Sequence, residues 1–157
     1  MIIKPNIREF FARVIIPIIA WLAGIILLET FLKTYASVML SIEGLLTLII
    51  LVYVCDTYIS IYSTKWAIDK ELISRTHGIL AKRKDYIELY RVVDYAETQT
   101  FTQLLFSVKT VIIMSTDKSD SEMAIWGIPK KNDVIAQIRN KVEQCKKEKR
   151  IYEITNR

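Results

Sequence analysis

Two long apolar runs near the start of the chain, followed by shorter alternating stretches, divide it into two parts. Residues 14–32 and 44–62 are each about long enough to cross the ~30 Å hydrocarbon core of a bilayer as a helix. After residue 62, charges recur every few positions, as in a water-soluble domain. The pattern predicts an N-terminal segment over residues 1–13, a transmembrane hairpin over 14–62, a domain over 64–148 and a basic polar tail over 149–157.

Basic residues stand just before the hairpin begins and just after it ends. Lys4, Arg8 and Arg13 precede the first run, and Lys65 and Lys70 follow the second. The connecting residues 33–43 hold one basic and one acidic side chain. Because basic residues favour the cytoplasmic side, both termini are expected in the cytoplasm, in a two-span protein of the inner (cytoplasmic) membrane.

One acidic residue, Asp56, falls inside the second apolar run, about two turns before its inner end. Arg13 stands at the start of the first run, so antiparallel packing predicts an intramembrane pair between Arg13 and Asp56. The alternative, an ion or proton pathway, requires several inward polar groups on both helices, and the sequence offers few.

The domain begins with stretches of alternating apolar residues. Such stretches around residues 66–73 and at 79–80, 86–89, 92–97, 108–114 and 123–128 predict at least six strands. Leu72-Ile73 and Ile79-Leu80 bracket a predicted turn at His77-Gly78. After Pro129, the apolar residues fall on one side of a helix, namely Val134, Ile135, Ile138, Val142 and Cys145. The expected architecture is α+β, an antiparallel β sandwich or open barrel capped by the C-terminal helix.

A set of these residues, spread over positions 64–145, resembles the bacterial pleckstrin-homology-like (PH-like) domain of YdbS-like membrane proteins. The set comprises Trp66 to Arg75, Gly78-Ile79-Leu80, Lys82-Arg83-Lys84, Ile87, Arg91-Val92, Leu104-Leu105, Thr110-Val111-Ile112-Ile113 and Gly127-Ile128-Pro129. Members of that family commonly carry two transmembrane helices directly before the domain. They often have a proline where this chain has Glu88, and glycines near Ser107 and Lys109.

The resemblance implies a PH-like fold, with two antiparallel sheets capped by a C-terminal helix. It also implies a non-enzymatic role in binding or assembly at the membrane.

Basic residues supply the first candidate site. Residues 63–157 contain 18 Lys or Arg against 13 Asp or Glu, so the domain favours anionic partners. Lys82, Arg83 and Lys84 follow a turn and are a candidate lipid-binding rim, with Lys130 and Lys131 as a second lobe. The alternative is a solvated strand end that discourages edge pairing. No recognition helix or interleaved aromatic and basic pattern indicates nucleic acid.

Apolar residues between two strands supply the second candidate. Phe101, Leu104, Leu105 and Phe106 suggest a short helical turn that, if exposed, is a protein-interaction patch. The alternative is that they close the bottom of the core.

Neither catalysis nor a cofactor is expected. The sequence has no Gly-rich phosphate loop, nucleophile elbow or metal-ligand spacing, and its single histidine, His77, lies in a predicted turn. Cys55 and Cys145 fall in different parts of the chain, so a disulfide is not expected.

The predicted function is a membrane-anchored adaptor or scaffold that binds partner proteins or anionic lipid at the inner leaflet, alone or as a homo-oligomer. The alternative is a small membrane subunit of an envelope or transport assembly.

Overall fold

Two long helices form a hairpin at the start of the chain. The structure, a computed structural model, describes residues 1–31, 36–78, 81–117 and 121–149. Helices α1 (Arg8–Phe31) and α2 (Ala36–Ser63) run antiparallel, because Phe10 meets Tyr58 edge to face at 5.7 Å and the Tyr53 hydroxyl reaches the Arg13 carbonyl at 3.5 Å. Both are long and apolar enough to cross a membrane, and only 11% of each apolar window is buried inside the protein. The two predicted apolar helices are confirmed.

Helix α1 begins earlier than the apolar run that predicted it. The Asn6 side chain accepts a hydrogen bond from the Arg8 backbone N–H at 3.0 Å, which caps the helix at its first turn. Glu9 follows in that first turn, where a negative charge suits the positive end of the helix dipole. The first two turns of α1 therefore precede the purely apolar part and are available to contact the domain.

Seven strands in the described residues form two antiparallel sheets. The four-stranded sheet has the order β1 (Ile2–Ile3), β2 (Lys65–Ile68), β3 (Leu72–His77) and β4 (Arg83–Glu88). The three-stranded sheet has the order β5 (Val92–Thr98), β6 (Val108–Ser115) and β7 (Glu122–Pro129). The prediction of at least six antiparallel strands is confirmed, whereas Ile79 and Leu80, expected beside the turn, lie outside the described residues.

The described part of the domain also contains two α-helices, the short α3 (Phe101–Leu105) and the C-terminal α4 (Val134–Glu148), and one turn of 3-10 helix (Leu89–Arg91). Asp133 caps α4 by accepting from the Ala136 N–H at 3.0 Å. The predicted apolar side of α4 packs on the core shared by both sheets, as the sequence indicated. The core consists of Ile3, Trp66, Ile68, Ile73, Ile87, Leu89, Val92, Val111, Ile113, Met123, Ile125, Ile128, Val134, Ile138, Val142 and Cys145.

The N-terminal residues belong to the domain as well as to the hairpin. Ile2 and Ile3 pair with Ala67 and Trp66 and place β1 at the edge of the four-stranded sheet. The sequence did not reveal this strand, because two residues show no periodicity. Residues 1–13, expected as a segment ahead of the hairpin, thus contribute an edge strand and the first turns of α1. Of the expected basic tail, Lys149 follows α4 and residues 150–157 lie outside the described residues.

Gly127 on β7 is the point where the chain leading into α1 touches the sheet. Its φ is +72°, and a Cβ there would lie 2.9 Å from the Pro5 Cβ and 3.1 Å from the Glu9 Cβ. Its carbonyl accepts from the Asn6 N–H at 2.9 Å. A glycine is therefore required twice, for the left-handed backbone and for the close approach of α1.

Replacing Gly127 by alanine should destabilise the protein by about 2 kcal/mol or more, since it adds left-handed strain to a steric overlap. Gly44→Ala is the matched control, because a Cβ at Gly44 meets nothing within 4 Å and alanine favours a helix. Thermal unfolding of the full chain in detergent should show a lower midpoint for Gly127→Ala and an unchanged or higher one for Gly44→Ala. Equal midpoints for the two variants would contradict the close packing of α1 on β7.

Candidate functional site

The junction between α1 and the domain is built around a buried carboxylate. The Glu9 side chain is only 2% exposed. Arg13, one turn later, donates from its Nε to Glu9 Oε1 at 2.9 Å. Gln103 of α3 donates from its amide nitrogen to both Glu9 oxygens, at 3.0 and 3.1 Å. A buried charge is stable only when it is paired and hydrogen-bonded, and these two partners meet that requirement.

Local sequence positions Gln103 for this contact. Thr100 and Gln103 form a capping box at the start of α3, in which the Gln103 Oε1 accepts from the Thr100 N–H at 3.1 Å. The Gln103 amide nitrogen also lies 3.0 Å from Thr110 Oγ1 on β6. The Gln103 side chain therefore connects three elements, namely its own helix α3, α1 through Glu9, and β6 through Thr110.

Aromatic packing extends this junction into the core. The Arg13 guanidinium lies 4.3 Å from the centre of the Trp126 ring, a cation–π geometry. Trp126 in turn meets Trp66 edge to face at 5.1 Å. Glu9, Arg13, Tyr53, Gln103 and Trp126 line a cleft of about 530 Å³ between the hairpin and the domain. We call it the junction cleft.

A second cleft carries a concentration of basic side chains. It encloses about 650 Å³ where α2 ends and the four-stranded sheet begins, with Tyr62 at its edge. Lys4, Lys65, Lys82 and Lys84 line it, and we call it the basic cleft. Strand pairing assembles it, because Thr76 stands opposite Lys65 on one side and opposite Lys84 on the other.

Lys84 is held in place by its neighbour on the same face of β4. Its ammonium lies 5.0 Å from the centre of the Tyr86 ring, again a cation–π contact. The Lys65 and Lys82 side chains have no ion-pair partner within the described residues. The basic cleft therefore has a net positive charge and suits an anion.

Arg83, expected to act together with Lys82 and Lys84, lies on the opposite face of β4. Its Nε donates to Asp85 Oδ1 at 2.8 Å. Arg75 donates to Asp85 Oδ2 at 2.6 Å, and His77 Nε2 lies 3.2 Å from the same oxygen. The structure thus separates the predicted cluster, with two lysines in the basic cleft and the arginine in an ion cluster around Asp85.

That cluster shifts the acidity of its carboxylate. Burial alone would raise the pKa of Asp85, but hydrogen bonds and positive charge from Arg75 and Arg83 outweigh it, so the pKa lies below its ordinary value. The cluster fixes the β3–β4 hairpin, and His77 is the last residue of β3 rather than a turn residue. Among the described residues no three His, Cys, Asp or Glu side chains are close enough together to hold a metal ion.

Lys130 and Lys131 lie apart from the basic cleft. They follow β7, both are exposed, and the Lys130 N–H donates to the Ser107 carbonyl at 3.0 Å. They therefore stand beside the end of α3, not beside Lys82 and Lys84.

The predicted apolar turn is α3, and three of its side chains face outward. Phe101 is 80% exposed, Leu104 53% and Leu105 64%, while the buried residues are Thr102 and Gln103. Phe106 stacks on Phe11 of α1 with ring centres 6.1 Å apart. The exposed side chains do not close the bottom of the core, which was the alternative expected from the sequence.

Arg13 and Asp56 are not brought together as an ion pair among the described residues. Arg13 is engaged by Glu9 and Trp126, and Asp56 lies on an exposed face of α2. Should α2 cross a bilayer, this carboxylate requires water or a polar partner.

The sequence indicated Lys82 and Lys84 of the basic cleft, but it did not assign Lys4, Lys65, Glu9 or Gln103 to a site. Thr100-x-x-Gln103 is a readable capping box, and the period of two on β4 already separates Arg83 from Lys84. Nothing local indicated that Glu9 is buried, because its partner Gln103 is 94 positions away. Lys4 and Lys65 join the basic cleft only through strand pairing.

Replacing Glu9 by alanine should lower the free energy of unfolding by about 2–4 kcal/mol, since Gln103 and Arg13 lose their buried acceptor. Glu143→Ala is the matched control, because its side chain is 54% exposed and its pair with Arg139 is at the surface. Tryptophan fluorescence during thermal unfolding of the detergent-solubilised chain measures both. A Glu9→Ala midpoint no lower than that of Glu143→Ala would show that the buried network does not stabilise the junction.

The architecture described above agrees with comparison to known proteins. A family model described as a bacterial PH domain matches residues 12–142. No curated protein and no solved structure matches the chain. The matched range includes most of α1, all of α2, both sheets except β1, and α4 as far as Val142. The chain belongs to the bacterial PH domain family.

Proposed function

We propose that this chain is an integral membrane adaptor whose PH-like domain binds anionic lipid headgroups in the basic cleft. The observation that carries the proposal is the position of Lys4, Lys65, Lys82 and Lys84 around one cleft at the end of α2. The hairpin crosses the inner membrane, and both termini and the domain lie on its cytoplasmic side.

The length of the connection supports a site at the headgroup level. Helix α2 ends at Ser63 and β2 begins at Lys65, so a single residue separates the two. Tyr62, 81% exposed, lies at the edge of the cleft, and an exposed tyrosine at the end of an apolar helix is typical of the membrane interface. A lipid in the inner leaflet reaches the cleft without moving away from the bilayer.

The chemistry of the cleft suits a phosphodiester. Lysine ammonium groups are compact charges that each add about 1 kcal/mol of attraction near an anionic surface, and salt screens that attraction. The tether keeps the domain beside the bilayer, so weak headgroup contacts act at high effective concentration. Within the part of the domain that the structure describes, no constellation of side chains indicates catalysis, and we propose a binding role rather than an enzymatic one.

The test uses the full chain in a non-ionic detergent, titrated with short-chain phosphatidylglycerol and, separately, with short-chain phosphatidylcholine. Native mass spectrometry reports the bound lipid at each concentration. Wild-type protein should prefer phosphatidylglycerol, and the double variant Lys82→Ala/Lys84→Ala should bind it about ten- to thirtyfold more weakly, since two lysines contribute about 2 kcal/mol.

The matched control removes two charges from the outer part of α4, as Lys141→Ala/Lys147→Ala. It should leave the preference for phosphatidylglycerol intact, and raised salt should weaken binding to wild type and control alike. Equal affinity of both double variants, or equal binding of the two lipids by the wild type, would refute lipid recognition in this cleft.

A further inference from the structure

The short helix α3 presents an apolar surface that headgroup binding in the basic cleft does not explain. Phe101, Leu104 and Leu105 are exposed on one face, at 80, 53 and 64%. We propose that this face, the α3 wedge, is inserted into the headgroup and upper acyl region of the same bilayer that the hairpin crosses. The inference rests on the membrane-spanning hairpin of the proposed function, but not on lipid binding in the basic cleft.

The level of α3 along α1 supports this placement. Counting back about 20 residues from the end of α1 at Phe31, the length that crosses the hydrocarbon core, reaches Ala12. Phe106, which directly follows α3, stacks on the neighbouring Phe11 with ring centres 6.1 Å apart. The wedge therefore stands where α1 enters the hydrocarbon.

The wedge is continuous with the apolar surface of the hairpin. Phe106 lines a groove whose other walls are apolar side chains of α1 and α2, namely Phe10, Phe11, Val14, Ile15, Ile18, Ile19 and Val54. Because Phe106 directly follows Leu105, it connects the wedge to the apolar side chains of the hairpin that lipid would cover.

Basic residues border the wedge on the side of the domain. Lys130 and Lys131 are exposed, and the Lys130 N–H donates to the carbonyl of Ser107, directly after Phe106. An apolar face bordered by lysines is typical of segments that lie in the interface of an anionic membrane. This arrangement favours lipid over a protein partner as the occupant.

The wedge is also preformed. The Thr100–Gln103 capping box begins α3, and Gln103 bonds to Glu9 from the buried face. Ser107 ends the turn in a left-handed conformation, φ +54°, and donates to the Leu104 carbonyl at 3.2 Å. Because the backbone is fixed by these contacts, exposure of the three side chains is not a result of local disorder.

Spin labels measure the depth of the wedge directly. Single cysteines replace Leu104 or Leu105 in a Cys55→Ala background, and the labelled full chain is reconstituted in vesicles of phosphatidylcholine and phosphatidylglycerol. Power saturation compares collisions with oxygen, which enters lipid, and with a water-soluble nickel chelate. The oxygen-to-nickel accessibility ratio at Leu104 and Leu105 should be several-fold higher than in water-exposed parts of the domain.

Two control labels make the outcome unambiguous. Val93 is apolar and 58% exposed, but it lies at the other end of β5, ~20 Å along the strand from α3, and should report water. Leu22 lies on the exposed side of α1 and should report lipid.

Ratios at Leu104 and Leu105 equal to that of Val93, with Leu22 in lipid, would overturn the wedge while leaving the hairpin and the adaptor role intact. A water-accessible Leu22 would overturn the membrane span and the wedge together.

Discussion

The buried contact of Glu9 with Gln103 and Arg13 holds the helical hairpin against the domain and so determines how the two are oriented. It fixes the first turns of an apolar helix to Gln103 of the domain, 94 residues further along the chain. Because Asn6 also donates to the Gly127 carbonyl and Ile2 and Ile3 form an edge strand, the start of the chain is attached to both sheets. A hairpin joined only through the single residue after α2 would act as a flexible tether, whereas these contacts hold helices and domain in one orientation.

That orientation determines where the two candidate surfaces lie relative to the helical hairpin. The basic cleft opens at the end of α2, and the α3 wedge stands beside the start of α1, so both lie at the same end of the hairpin. Positive charge and apolar surface at that end are what a domain resting on an anionic bilayer requires. The ion cluster of Arg75, Arg83 and Asp85 fixes the β3–β4 hairpin. This β-hairpin carries Lys84, so the cluster also fixes the shape of the basic cleft.

Much of the fold could be predicted from the sequence, because it depends on local periodicity. The apolar helices, six of the strands and the apolar face of α4 all follow from spacing, and Cys145 is buried as that face requires. Strand β1 has two residues and no period, and the burial of Glu9 depends on a partner distant in sequence. Of the basic cleft, the sequence indicated Lys82, which directly precedes β4, and Lys84, the second residue of that strand, whereas Lys4 and Lys65 are brought there by pairing between strands.

Helix α1 and the domain should behave as one rigid unit, and a distance from pulsed electron paramagnetic resonance between the two measures this in a bilayer. Spin labels at Leu22→Cys on α1 and Asn140→Cys on α4 would be placed in a Cys55→Ala background; Cys145 is buried, and burial raises the pKa of its thiol, so it should stay unlabelled. In lipid bilayers we expect one narrow distance distribution, which broadens when Glu9 is replaced by alanine. A broad distribution with Glu9 in place would show that α1 and the domain move independently of each other.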